Sequence, residues 1–328
     1  MTALPPYLHL ISVPTPFPVG PVNLYLAEGI PLTLIDTGPR FDPAREALQE
    51  RLNALGYQPS DLERIILTHT HSDHSGLAAE LVAASGAEVL THPTNFSELA
   101  DYADERARRL AFYSALMQEA GMPVETLIQM DRARREYGRF AQPVTPDGPL
   151  EEGMTVRLGN EDWQVLHTPG HTGGLICLYQ PQRRLLLSSD HLLRDVSSNP
   201  IVEPPRREGE ERPHRLLDYL AQLQRVAQLP ADLALPGHGP PITDIRGLVA
   251  SRLAFHEERA RQVLESLHDG PRSVYQVTLE LFPDLDAVNR FLAISEIIGH
   301  LDWLEVRREV AGRMEGSIRL WRAVQNSR

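Results

Sequence analysis

The stretch Ile66–Gly76, ILTHTHSDHSG, sets three histidines and an aspartate within six positions, directly after an apolar run. Charged imidazoles so crowded would repel one another, and neutral ones buried without partners would forfeit hydrogen bonds. The chain must therefore end a short buried strand here, turn, and gather other groups around the cluster.

Divalent first-row metals take neutral imidazole and carboxylate ligands, and a hydrolytic site keeps one position open for water. His69 and His71 are two apart, so on an extended segment they point to the same side. Asp73 and His74 follow where the chain turns into the next helix. The arrangement offers two histidines to one ion and an Asp–His pair to a neighbour. Two ions need about six or seven ligands between them. The remainder must come from distant sequence, best from strand ends in Gly-rich turns where backbone can approach closely. Three segments meet that demand. HTPGHTGG presents His171, LLLSSDH presents Asp190, whose two oxygens can bridge, and LALPGHGPP presents His238.

These four segments resemble, in the same order, the ligand motifs of the metallo-β-lactamase superfamily, over Pro5 to Thr243. The resemblance implies an α/β fold, a four-layer αββα sandwich. It implies that His69, His71 and His171 bind a first ion, that Asp73, His74 and His238 bind a second, and that Asp190 bridges them. It also implies that Asp36, in TLIDTG, hydrogen-bonds a metal-bound histidine or supports its loop. His191 directly follows Asp190 and is a candidate to reach the pocket. His167 reads as a supporting or packing residue, and His9, His92, His214, His256, His268 and His300 as surface or helix residues. Cys177 is the single cysteine, which excludes a thiolate zinc site and an intramolecular disulfide. Zinc is the expected ion, and the same donors suit iron or manganese.

Two ions about 3.5–4 Å apart can share a hydroxide, so attack of a metal-bridging hydroxide on a carbonyl or phosphoryl centre is the expected chemistry. Asp73, a ligand with a spare oxygen, is the candidate to orient the water or accept its proton. Ser72 and Ser75 read as turn and helix-capping residues rather than nucleophiles. All 32 basic residues are arginines, so Schiff-base chemistry and a lysine general base are excluded. His69-Thr70-His71 resembles the hydrolase branches and not the His-x-Glu start of the flavo-diiron branch. The wider resemblance is to the glyoxalase II-like and β-lactamase-like branch with a C-terminal winged helix. It implies a small-molecule thioester, ester or lactone as substrate. A phosphodiesterase or endoribonuclease is the alternative substrate class, and an iron-dependent persulfide dioxygenase, which shares HxHxDH, the alternative reaction class. A net charge of −12 opposes binding to DNA, RNA or an anionic membrane.

Residues 1–245 read as the catalytic domain, in which strands alternate with helices and imply sheets covered by helices. A helix over Ser75–Ser85 is expected after the cluster. A helical insertion at about 97–140 is either a solvated hairpin or a lid. Residues 246–328 read as three helices, Leu248–Leu267, Ser273–Leu281 and Ala287–Leu304, then a hairpin with Gly312 and Gly316 in the turn region. Together they predict a winged-helix module. Eleven arginines against twelve acids over Ala250–Arg328 favour a packing or lid role over groove binding. A homodimer through this module is one expected assembly. The Pro-broken start lacks a basic n-region and no long apolar run occurs, so a cytoplasmic location is expected.

Overall fold

The computed structural model describes residues 4–324 apart from 102 and 208, with side chains for all of these but 103–104, 130–135, 137 and 287–288. Six strands lie side by side in chain order: β1 (Leu8–Val13), β2 (Val22–Ala27), β3 (Thr33–Ile35), β4 (Arg64–Ile66), β5 (Glu88–Thr91) and β6 (Gly148–Pro149). β1 to β3 pair antiparallel, and β3 to β6 pair parallel. The parallel pairs need crossover connections. Helix α1 (Asp42–Ala54) supplies the first, and α2 (Ser72–Ser75) with α3 (Ala78–Ser85) the second. Ala44, Leu48 and Leu52 recur at helical spacing along α1 and are buried against Leu24, Leu34 and Ile65.

Between β5 and β6 the chain inserts α4 (Phe96–Leu99), α5 (Ala103–Glu119) and α6 (Val124–Gly138). A second sheet follows, built from β7 (Thr155–Leu158), β8 (Glu161–His167), β9 (Ile176–Gln180), β10 (Leu185–Ser189) and β11 (Leu233–Pro236) in the order β11-β10-β9-β8-β7. The two sheets meet face to face. Tyr25, Ile35 and Ile66 of the first pack with Trp163, Val165, Leu178 and Leu187 of the second. Behind the second sheet lie α7 (Arg215–Ala227) and the start of α8 (Ile245–Ser266), where Leu216, Leu223 and Val249 meet Leu166, Cys177 and Leu186. Covered on both faces, β2, β9, β10 and β11 are buried along their whole length. Edge strand β7 instead alternates exposed and buried residues.

The C-terminal segment contains α8, α9 (Val274–Leu281), α10 (Ala287–Val306) and a small sheet of β12 (Arg272–Ser273), β13 (Val310–Glu315) and β14 (Ile318–Ala323). Met117, Ala120 and Met122 of the insertion enter the same core as Val263, Val277, Ile294 and Leu301. The Ala120 carbonyl accepts from Tyr275 N, and Glu119 pairs with Arg319 at 3.0 Å. The insertion thus has one face docked on the C-terminal helices, which a solvated hairpin would lack. Among the described residues no helix is long and apolar enough to cross a membrane.

Three local expectations change. The expected helix Ser75–Ser85 starts earlier, at Ser72, and is interrupted at Gly76 and Leu77. A Cβ at Gly76 would lie 2.3 Å from the Phe140 carbonyl and 2.5 Å from Arg40 N, so the chain there is clamped between two loops. Ser75 does not cap the helix start; its hydroxyl donates to the Thr70 and His71 carbonyls. Gly312 lies within β13 opposite Trp321 rather than in the turn, which falls at Gly316 with φ +63°.

Trp163, fully buried between the sheets, donates its indole N–H to Tyr7 Oη at 3.2 Å. Trp163→Ala should cost about 3–5 kcal/mol of unfolding free energy, read from denaturant titration, with a wild-type far-UV spectrum.

Candidate metal centre

The strand ends of both sheets converge on one spot. β4 runs into His69 and His71, and α2 begins there, placing Asp73 and His74 in its single turn. From the second sheet come His171 in the β8–β9 turn, Asp190 just past β10 and His238 just past β11. The pairing of β10 with β11 shifts register between Leu187 and Ser189. Ser189 (φ 45°) and Asp36 (φ 58°) both hold left-handed backbone beside the cluster. Such strain in non-glycine residues persists only where surroundings impose it, and here it re-aims the ends of β3 and β10.

Side-chain donors then fall into three groups whose ligand atoms lie within 4.8 Å of one another: His69–His71–His171, His69–His74–Asp190 and Asp73–His74–His238. All seven residues proposed from sequence as ligands are in this constellation. His71 and Asp73 are half-buried, and the other five are buried. Solvent therefore meets the cluster on the side of His71 and Asp73.

Outer hydrogen bonds fix which nitrogen each imidazole turns inward. Asp36, at the end of β3, accepts from His74 Nδ1–H on Oδ2 at 2.8 Å and from Thr68 N on Oδ1 at 2.8 Å. The Thr68 hydroxyl also donates to Asp36, so its oxygen is left to accept from His69 Nδ1 at 3.1 Å. His171 Nδ1 donates to the Asn199 carbonyl and His238 Nδ1 to the Pro21 carbonyl, each at 2.9 Å. Four histidines thus present Nε2 to the centre. His71 is the exception, presenting Nδ1 at 3.2 Å from His69 Nε2 and 2.9 Å from His171 Nε2.

With the His69 and His171 protons committed outward, both of their Nε2 lone pairs face His71 Nδ1, which can donate to only one of them, so a cation among the three is favoured. His74 Nε2, His238 Nε2 and Asp190 Oδ1 are likewise buried and meet only other members of the cluster, His74 Nε2 at 3.4 Å from Asp190 Oδ1 and His238 Nε2 at 3.2 Å from Asp73 Oδ2. Buried atoms so placed call for a ligand, and the nitrogen and carboxylate set suits a divalent ion. Burial, reinforced by neighbouring imidazoles, lowers the pKa of His69 well below its usual value and takes His171 down to about 3, the neutral form a ligand needs. Burial opposes charge on His74 too, but Asp190, Asp36 and Asp73 outweigh it and raise its pKa well above normal. The second half of the cluster is therefore rich in negative charge.

Gly237 makes the close approach possible. A Cβ there would lie 2.2 Å from Asp190 Oδ1 and 2.8 Å from His74 Cε1. A cavity of about 360 Å³ opens beside the cluster, bordered by Thr70, Thr172, Glu98, Arg109 and Arg206. The insertion contributes one wall of it through Ser97, Glu98, Glu105, Arg108 and Arg109. His191 does not border this cavity; its ring is fully buried against Tyr219 at 5.6 Å. His167 has a packing role, stacked on His92 at 3.9 Å and contacting the Gly173 carbonyl at 2.9 Å. His256 and His300 lie on helices but are buried and paired with each other at 3.3 Å. Sequence reading did not single out Thr68, Pro21 or Asn199. Thr68 directly precedes the motif, a signal that was there to use, whereas the other two act through carbonyls that any residue carries.

The chain belongs to the metallo-β-lactamase superfamily, whose family model matches residues 17–238, and it is a hydrolase of that superfamily. It is similar to the probable metallo-hydrolase YqjP of Bacillus subtilis (strain 168), 38% identical over 310 residues that cover 94% of this chain and 95% of that protein. The crystal structure of the metallo-β-lactamase family protein TTHA1429 from Thermus thermophilus superposes with a TM-score of 0.84 at 32% identity, covering 98% of this chain and all of that one. The human acyl-coenzyme A thioesterase MBLAC2 is 28% identical over 182 residues, 53% of this chain and 54% of that protein.

Asp36→Asn keeps the shape but puts an amide N–H where a carboxylate oxygen stood. Turned toward His74, that group would force the His74 proton onto the inward Nε2. The variant should fold normally and lose roughly 10–100-fold in metal affinity, measured by competition with a chelator.

Proposed function

We propose that the chain is a binuclear metal-dependent hydrolase that cleaves a small-molecule thioester, with esters or lactones as related substrates. The observation that carries this reading is the convergence of seven ligand-type side chains from two sheets, with inward atoms that lack other partners. His69, His71 and His171 would hold one ion, and Asp73, His74 and His238 the other. Asp190 stands between, with Oδ1 3.4 Å from His74 Nε2 and Oδ2 3.6 Å from His171 Nε2. Zinc is the ion we expect, given borderline nitrogen donors and carboxylates.

Such a pair of ions, when bound, supplies Lewis acidity and activates water at neutral pH. The protein's own groups do the rest. Asp73 contacts His238 Nε2 through Oδ2 at 3.2 Å and is half-buried at the solvent side, which suits it to orient water as a hydrogen-bond acceptor. Although burial opposes ionisation, His74 and the His238 contact hold the Asp73 pKa down to about 2. It is thus an acceptor-only group at neutral pH. Asp36 and Thr68 keep His74 and His69 in the tautomers that binding requires.

The cavity beside the cluster is of small-molecule size and is walled by ion pairs such as Arg108–Glu105 at 2.7 Å, which favours a compact polar ligand over an extended polymer. The thioesterase relative supports the choice of bond. We propose that the three C-terminal helices and their sheet form a winged-helix module that serves packing rather than nucleic-acid binding. Its near-neutral charge and the overall −12 support that assignment.

The purified protein should contain about two ions per chain and hydrolyse members of a panel of acyl thioesters, lactones and phosphodiesters, with thioesters fastest. Turnover of the phosphodiesters alone would overturn the substrate class, and one iron with oxygen consumption would overturn the reaction class. His71→Ala should remove metal and lower kcat/KM by more than the ~10–100-fold that loss of an outer partner costs. Undiminished turnover would reject the site.

A further inference from the structure

We infer that the C-terminal helices set the orientation of His171 through the segment 194–202, with Asn199 as the positioning residue. The inference rests on the proposed metal-binding role of His171. That residue is gripped twice by the segment: its ring Nδ1 donates to the Asn199 carbonyl at 2.9 Å, and its own carbonyl accepts from Ile201 N at 3.2 Å. The segment has no regular secondary structure to hold it, and among the described residues its anchors come largely from α8 and α10. Asn199 Nδ2 donates to the Leu292 carbonyl at 3.1 Å, and Val202 N donates to Ser295 Oγ at 3.0 Å, both on α10. From α8, Arg252 donates to the carbonyls of Leu193, Arg194 and Val196 at 2.9–3.1 Å, and His256 Nε2 meets Ser197 Oγ at 3.4 Å.

These anchors form a directed chain. His300 Nδ1 donates to the Glu296 carbonyl at 2.7 Å, so its Nε2 accepts from His256 Nδ1, and His256 Nε2 is left to accept the Ser197 hydroxyl proton. Burial lowers His256 to about 3 and His300 to about 4, so both rings stay neutral and the donor order is kept at neutral pH. The Asn199 carbonyl is held in place by its own side chain, whose Nδ2 is fixed to the Leu292 carbonyl of α10. A helix-borne support for a loop-borne orienting group gives precision that the loop alone would lack. The ion held by His69, His71 and His171 depends on this support. The ion held by Asp73, His74 and His238 does not, because His74 rests on Asp36 and His238 on Pro21.

The test compares Asn199→Asp, which replaces the amide donor by an acceptor facing the Leu292 carbonyl, with Val310→Ala. Val310 lies on β13 in the C-terminal core that Val202 also joins, and it makes none of the hydrogen bonds that hold the segment, so its truncation controls for general loosening. Each protein is loaded with Co²⁺ or Zn²⁺ and challenged with a chelator, and the absorption spectrum of the Co²⁺ form and the thermal midpoint are recorded. Asn199→Asp should lose one of the two ions about 10–100-fold more readily and change the Co²⁺ spectrum. Val310→Ala should melt earlier yet hold both ions as the wild type does. Should Asn199→Asp not fold, Ser295→Ala decides, with a smaller loss of the same ion expected. Unchanged retention of both ions in Asn199→Asp or Ser295→Ala, or equal loss in Val310→Ala, overturns the relay while leaving the metal site intact. A wild-type protein that binds no ion overturns both.

Discussion

Burying imidazoles and carboxylates is costly unless each polar atom is met, and the structure is organised around meeting them. The outward nitrogens of His69, His74, His171 and His238 each find a fixed acceptor in Thr68, Asp36, Asn199 or Pro21. That leaves the inward atoms pointing at one another. Strand ends are where such an arrangement is feasible, since the sheets beneath are rigid and the turns above can approach closely. The register shift in β10 and the left-handed backbone at Asp36 and Ser189 are local costs accepted to aim the side chains.

The ligand-type residues were legible in the sequence because their chemistry is conspicuous: HTHSDH has few other uses, His171 and His238 each close an apolar run with glycine nearby, and Asp190 closes the apolar run LLLSS. Asp36 was legible on similar grounds, as a carboxylate ending a strand. The supports were less so. Pro21 and Asn199 act through main-chain carbonyls, and no residue type advertises a carbonyl. Gly237 reads as a turn former, yet its place is dictated by the proximity of Asp190 and His74. Strand positions were readable wherever apolar runs were bounded by turn residues, and the two-residue β6 and β12 were too short to carry a pattern.

The insertion shows what periodicity leaves open. An apolar stripe says that a helix face is covered but not by what, so a solvated hairpin and a lid were both compatible with residues 97–140. In the structure the hairpin serves two neighbours. Met117, Ala120 and Met122 join the C-terminal core, while Glu98 and Arg109 border the cavity beside the histidines. The same C-terminal helices hold the segment that carries Asn199, so elements far apart in the chain converge on one wall of the site.

The bridge between Val22 and His238, and the bond from His238 to the Pro21 carbonyl, stitch the first sheet to the second at the cluster itself. A cation gripped there would act as a rivet across the seam, binding the folded chain and not the separated sheets. Linkage then adds about 2.7 kcal/mol of resistance to unfolding at a free-ion level one hundred times the dissociation constant. The durability of this fold would in that way follow the trace-metal supply of its surroundings, and starvation for the ion would silence the enzyme and weaken its scaffold together.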